Sequence, residues 1–241
     1  MYGWRKRIGL IVPSGNLNTE IEFHLLRLKG VTVHVERVIE VTTSDENIDE
    51  GMRLMNEDLP RAARYLADIK PNIIVWGCTG ASFWDGPGHN TRLEKIIEDE
   101  VKIQAITTST ALVAALKELQ LTKIGVATPY AQKTNTQLRA FLEGNGYKIT
   151  AMNGLGLVGF SCGETYPQQA YRVAMEVDTP DAEGVLISCT DFPTREILDL
   201  LERDLGKPVI TATQATIWYT LKQLGLSDPI EDYGELLRRP R

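Results

Sequence analysis

Two short runs place a cysteine where chemistry could be done. "VWGCTG" (Val75–Gly80) and "LISCTD" (Leu186–Asp191) each lead an apolar stretch into Cys-Thr. The chain has three cysteines, and Cys78 and Cys189 occupy the same local frame, about half a chain apart. An ordinary thiol is a few per cent thiolate at neutral pH, and nearby hydrogen-bond donors raise that fraction. Two thiols facing one small molecule can work as base and acid on opposite faces of a carbon. Alternatively, one thiolate adds covalently while the other handles the proton. The small neighbours Ser14, Thr79, Gly80 and Thr190 would offer hydroxyl and backbone N–H donors to a carboxylate. A single cysteine at a strand end is most often a small buried hydrophobe; the matched frames are what raise a shared site. Cys162, in "GFSCGE", has no counterpart and reads as a structural or loop residue.

Such corners need a scaffold. Short apolar runs alternate with amphipathic stretches, which predicts strands over 8–12, 31–37, 73–76, 103–106, 123–127, 148–153, 184–188 and 208–211. Helices are predicted over 18–28, 58–69, 91–100, 109–119, 131–145, 167–177, 194–205 and 214–224. The alternation implies βαβ units and parallel sheets, an α/β fold. The continuously apolar "NIIVWG" and "GVLIS" suit strands covered on both faces. Gly146 suits a helix C-terminus, Pro167 a first helical turn, and "TPDAEG" a turn before a strand. The halves also match each other. "RIGLIVPSGN" parallels "KIGVATPYAQ", and "ITTSTALVAALKELQL" parallels "ITATQATIWYTLKQLGL". Two pseudo-symmetric lobes follow: residues 1–108 and 109–212, with 213–241 returning to the first. Ligands of open parallel sheets bind beyond the carboxyl ends of the strands. The loops "PSGN", "GCTGAS", "TPYAQ" and "SCTDF" would then line one cleft between the lobes.

Composition narrows the partners. The chain has 241 residues, 43% hydrophobic and 24% charged, as in ordinary globular proteins. A net charge of -6 argues against nucleic acid or an anionic membrane as partner. No apolar run approaches the roughly 18–20 residues of a membrane span. The run 8–12 behind "MYGWRKR" is too short for a signal peptide and reads as a strand. Three distant cysteines make no disulfide framework, so a cytoplasmic protein with free thiols is expected. His24, His34 and His89 lack metal-ligand spacing, and no glycine-rich phosphate motif supports a nucleotide cofactor. Weaker signals stay open. Asn16 reads as a helix cap or turn residue, or a ligand contact, and Tyr130 as packing or contact. "FWDGPGHN" (Phe83–Asn90) reads as a lid or a surface loop, with Asn90 a possible helix cap. "TSDENIDEGM" (Thr43–Met52) reads as a solvated loop or helix start.

The ordered set "VPSGN" with Thr19 and Glu20, "GCTGAS", "TPY", "SCTDF" and "YGELL" spans essentially the whole chain. It resembles the aspartate/glutamate racemase superfamily, and within it the maleate cis-trans isomerases and arylmalonate decarboxylases. The resemblance implies two Rossmann-like lobes with the active site between them, no cofactor, a small carboxylate substrate and a homo-oligomer (dimer or tetramer). It implies that Cys78 and Cys189 are the catalytic pair. It also implies that Asn16, Tyr130 and the donors around Thr79, Gly80 and Thr190 hold the substrate carboxylate. Arylmalonate decarboxylases have Gly where Cys78 stands, so both thiols here imply isomerase or racemase chemistry. The expected reaction is maleate-to-fumarate isomerisation by thiolate addition, bond rotation and elimination. A two-base racemase, an arylmalonate-type decarboxylase and a non-catalytic carboxylate-binding protein are the alternatives. One departure stands out: maleate isomerases carry an Asn ahead of the helix at Pro167, where this chain has Val158 and Gly159, with Ser161 or Cys162 as candidate substitutes.

Overall fold

The alternating pattern folds into two four-stranded parallel sheets. The computed structural model describes residues 2–239, so residues 1, 240 and 241 of the outer segments lie outside the described residues. The first sheet holds β1 (Lys6–Pro13), β2 (Val31–Val38), β3 (Ile73–Trp76) and β4 (Ala105–Thr107), in the order β2-β1-β3-β4. The second holds β5 (Lys123–Tyr130), β6 (Lys148–Leu157), β7 (Gly184–Ile187) and β8 (Val209–Thr211), in the order β6-β5-β7-β8. The two orders are the same, which is the three-dimensional form of the repeat read in the sequence. β3 and β7 are buried at every residue, which accounts for their unbroken apolar runs.

Around the first sheet lie α1 (Thr19–Leu25), α2 (Ile48–Glu57), α3 (Leu59–Ala67), α4 (Thr79–Phe83) and α5 (His89–Val101). Next come α6 (Thr108–Glu118), α7 (Gln132–Gly144), α8 (Pro167–Glu176), α9 (Leu198–Leu205), α10 (Ala212–Gln223) and α11 (Gly234–Arg238). Three differences from the sequence reading bear on the site. β5 and β6 run past their predicted ends, through irregular pairing, and carry Tyr130 and Leu157 to the carboxyl edge of the sheet. The acid-rich stretch becomes helical from Ile48, because Ile48, Met52 and Met55 form an inward stripe at i, i+4 and i+7. Asn90 is no cap: it lies inside α5, and its Nδ2 donates to Thr110 Oγ1 at 2.7 Å.

The lobes meet along α6 and α10, which pack on each other. Each starts on a threonine cap: Thr107 Oγ1 accepts the Thr110 N–H and Thr211 Oγ1 the Gln214 N–H, both at 3.2 Å. Thr216 Oγ1 donates to Thr108 Oγ1 across the seam at 3.1 Å. The C-terminal segment touches both lobes. Asp228 pairs with Arg5, the Tyr233 hydroxyl bonds Glu22 of α1, and the Gly234 and Glu235 N–H groups bond Asp199 and Glu202 of α9.

Candidate active site

The two Cys-Thr corners sit at the carboxyl ends of equivalent strands. β3 closes with the Gly77 N–H on the Ile11 carbonyl at 2.8 Å, and β7 with the Ser188 N–H on the Ala127 carbonyl at 2.9 Å. Each strand end thus hands its cysteine to the same position relative to its sheet. Cys78 then precedes α4 in extended conformation (φ -129°, ψ 116°), and the Ala81 N–H reaches its sulfur. Cys189 instead takes φ 127°, a region L-residues rarely adopt, and the Asp191 N–H reaches its Sγ at 3.4 Å.

The corners are stitched together across the seam. The Thr190 N–H donates to Thr79 Oγ1 at 3.0 Å, and Thr190 Oγ1 donates to the Gly77 carbonyl at 3.0 Å. The Thr190 carbonyl accepts from Thr19 Oγ1 and Thr213 Oγ1 at 2.9 and 3.0 Å. Both thiols, 9% exposed, open into one cavity of ≈ 60 Å³ between the sheets. Among the residues singled out in the sequence, Asn16, Cys78, Thr79, Gly80, Tyr130, Cys189 and Thr190 line it.

Ser14 is not brought there: it is exposed, and its Oγ accepts the Glu40 N–H at 3.1 Å. Asn16 is a turn residue, its N–H on the Pro13 carbonyl at 3.0 Å, and its Oδ1 accepts the Thr19 N–H at 3.0 Å at the start of α1, which leaves Nδ2 without a partner among the described residues. The Tyr130 hydroxyl reaches Cys189, and its ring meets Phe83 edge-on, with centroids 6.4 Å apart. Burial raises the Tyr130 pKa well above its usual value, so it stays a phenol donor. Phe83 and Trp84 are therefore packing residues: Phe83 is fully buried and Trp84 Nε1 bonds Asp49 at 3.2 Å.

Two cavity residues, Asp191 and Glu40, were not singled out in the sequence. Cys162, read as a structural or loop residue and as a candidate substitute for the missing amide, ends a 3₁₀ turn (Gly159–Cys162) that turns its thiol to Cys189. The hydrogen bond between the two thiols, with burial, drives the Cys162 pKa up. Ser161 is spent on that turn, its Oγ donating to the Val158 carbonyl at 2.8 Å. Asp191 accepts N–H groups of Leu17 and Asn18 at 2.7 and 2.9 Å, and burial raises its pKa to about 6. Glu40, on the loop after β2, is raised to about 7 by burial and then by Asp191. Asp191 had a signal, its place in "SCTDF"; Glu40 had none. Burial also pushes the Cys78 thiol up. Among the described residues no Lys, Arg or His lines the cavity, and no group of His, Cys, Asp or Glu is placed to hold a metal ion. The resulting site is a small pocket lined by three thiols, a phenol and two carboxyls near neutrality, equipped for nucleophilic addition or proton transfer at carbon.

A family model for arylmalonate decarboxylase matches residues 8–237. A maleate isomerase from Nocardia farcinica is 30% identical over 97% of this chain and 96% of its own length. An arylmalonate decarboxylase from Bordetella bronchiseptica is 27% identical over 73% of this chain and 75% of its own. Among solved structures, a cysteine-to-serine mutant of Nocardia farcinica maleate cis-trans isomerase carrying a covalently bound succinylcysteine intermediate superposes with a TM-score of 0.91. It is 27% identical, with 98% of this chain and 99% of that one covered.

Proposed function

The chain belongs to the arylmalonate decarboxylase family of enzymes, and on that premise we propose that it is a cis-trans isomerase of a small unsaturated dicarboxylate of the maleate type. The observation that carries the reading is the meeting of Cys78 and Cys189 on one small cavity. A decarboxylase needs one thiol to protonate one face of a carbanion, whereas addition and elimination across a double bond use two groups.

The Cys78 thiolate attacks one alkene carbon. The S–C bond forms, the π bond breaks, and its electron pair moves to the neighbouring carbon and into the attached carboxylate. The Cys189 thiol delivers its proton to that carbon, giving a succinyl thioether on Cys78. Rotation about the former double bond follows. The Cys189 thiolate then takes a proton back, the S–C bond breaks, and the trans product leaves with Cys78 a thiolate again. Tyr130, Cys162 and the Asp191 N–H supply hydrogen-bond donors at Cys189 while it carries charge. Burial of Cys78 favours its thiol, so its proton must pass to a neighbouring group as the S–C bond forms. Asn16 Nδ2 and the first N–H groups of α4, at Thr79 and Gly80, are the donors for the carboxylate beside Cys78. The covalent intermediate of the Nocardia farcinica relative supports this chemistry.

Proton NMR of purified protein with maleate should show the fumarate vinyl signal growing. Inert maleate, with no adduct at Cys78, overturns the assignment. Solvent deuterium entering a substrate without isomerisation would point to a racemase, and release of carbon dioxide from an arylmalonate to a decarboxylase.

A further inference from the structure

The charge of the cavity poses a problem for any dicarboxylate. Among the described residues its lining holds no cationic side chain and two carboxyls, Glu40 and Asp191. A dianion arriving with both ionised would meet like charges at a partly buried site with no counter-charge in its lining. One of the two must therefore be neutral when ligand binds.

Their surroundings separate them. Asp191 accepts from the Leu17 N–H, the Asn18 N–H and Asn18 Nδ2, bonds that favour its ionised form. The Glu40 carboxyl has no hydrogen-bond partner among the described residues. Its backbone is nonetheless held, by the Glu40 N–H on Ser14 Oγ at 3.1 Å and by contact of its loop with the turn opposite. At that contact a Cβ on Gly159, which has φ 56°, would lie 2.1 Å from the Thr42 carbonyl oxygen. The loop thus presents Glu40 to the chamber. The ionisable groups facing Glu40 are Asp191 and the thiols of Cys78, Cys162 and Cys189, with the Tyr130 phenol on the same wall. Arg37 lies behind the Ser14 turn, committed to the Ser14 carbonyl at 3.0 Å and to Glu20.

We propose that Glu40 is a specificity-determining residue that receives one substrate carboxylate as a neutral acid, donating its proton in a hydrogen bond, so that binding a dicarboxylate draws a proton from solvent. This rests on the dicarboxylate reading above. The acid ionises near neutrality, at about 7, so it is readily recharged from solvent.

The test is calorimetric titration of the whole chain with succinate, a dicarboxylate with no double bond to attack. It is run about one pH unit above the Glu40 pKa of about 7, in buffers of differing ionisation enthalpy. Wild type should take up close to one proton per ligand, and Glu40→Gln, which keeps an N–H donor, close to none, with affinity within about threefold. Glu40→Leu should lose both the uptake and about tenfold in affinity. Equal uptake in wild type and Glu40→Gln, or none in wild type, overturns the proposal. Should succinate give no heat while maleate turns over, the KM for maleate takes its place. It should rise with pH above about 7 in wild type and stay flat in Glu40→Gln, and matching profiles overturn the proposal. Maleate turnover with unaltered linkage sinks the Glu40 role alone. Proton uptake without turnover sinks the isomerase reading alone. Neither binding nor turnover sinks both.

Discussion

The Cys78 and Cys189 corners occupy equivalent places in two sheets of identical strand order, yet they are built differently. After Cys78 the chain continues in relaxed extended backbone into a short helix, and one N–H reaches its sulfur. After Cys189 there is no helix; the residue sits at φ 127°, and a backbone N–H, a phenol and a second thiol converge on it. The first corner presents its thiol in low-energy geometry, as suits a group that must move with a covalently attached substrate. The second holds its thiol in a fixed, strained position among donors, as suits a group that passes a proton and carries the charge left behind. Equivalent strand ends supply the positions, and the differing local backbones match the division of labour proposed above.

The comparison can be broken most directly by removing each thiol. Cys78→Ala should lower maleate turnover by about 10³-fold or more, because no covalent intermediate forms. Cys189→Ser should also stall turnover, but with adduct still forming at Cys78. Initial rates by NMR read the loss in each, the adduct seen by mass spectrometry distinguishes the two, and a Cys78→Ala variant with near-normal rates would contradict the assignment of nucleophile.

A second difference is electrostatic. α1, whose Thr19 is bonded to the Thr190 carbonyl, carries buried Glu22, with a pKa raised from 4.5 to about 8 by burial. The folded state therefore holds a proton that the unfolded chain loses. Stability is fully retained below about 4.5 and falls as pH rises toward 8, by a few kcal/mol in all. Urea unfolding across that range should show the decline, and Glu22→Gln should flatten it.

Much of this was legible in the sequence. The strands announced themselves as unbroken apolar runs, and the matched Cys-Thr frames marked both corners because buried parallel strands and their ends are specified locally. The rest was not, because it depends on loops meeting across the seam. Glu40 becomes part of the cavity only when the loop after β2 folds onto the Gly159 turn, and nothing near Glu40 encodes that contact. Cys162 faces Cys189 through the same turn. The stripe of Ile48, Met52 and Met55 was readable, but the acidic residues interleaved with it favoured a solvated segment. The hydroxyls of Thr79 and Thr190 look alike as donors in sequence, yet Thr190 Oγ1 donates to the Gly77 carbonyl while Thr79 Oγ1 accepts the Thr190 N–H.

Glycine at each corner sharpens the backbone difference. Cys189→Gly removes a strained conformation worth about 1–3 kcal/mol, offsetting the lost side-chain contacts. Cys78→Gly has no strain to relieve and adds backbone entropy to the unfolded state. Chemical denaturation should therefore find Cys78→Gly less stable than Cys189→Gly by about 1–2 kcal/mol. Equal losses would mean that φ 127° at Cys189 carries no energetic weight.

A smaller effect concerns the donors. Tyr130→Phe removes the phenol beside Cys189 and keeps the ring against Phe83, so turnover should fall about tenfold, with stability nearly unchanged. A loss as large as that of Cys189→Ser would make the phenol, rather than the thiol, the proton carrier.

The division of labour is tested most directly by incubating Cys189→Ser with maleate, digesting the protein and mapping modified peptides by mass spectrometry. The account predicts a succinyl group on Cys78 and an unmodified Cys162; an adduct on Cys162, or no adduct at all, would contradict it.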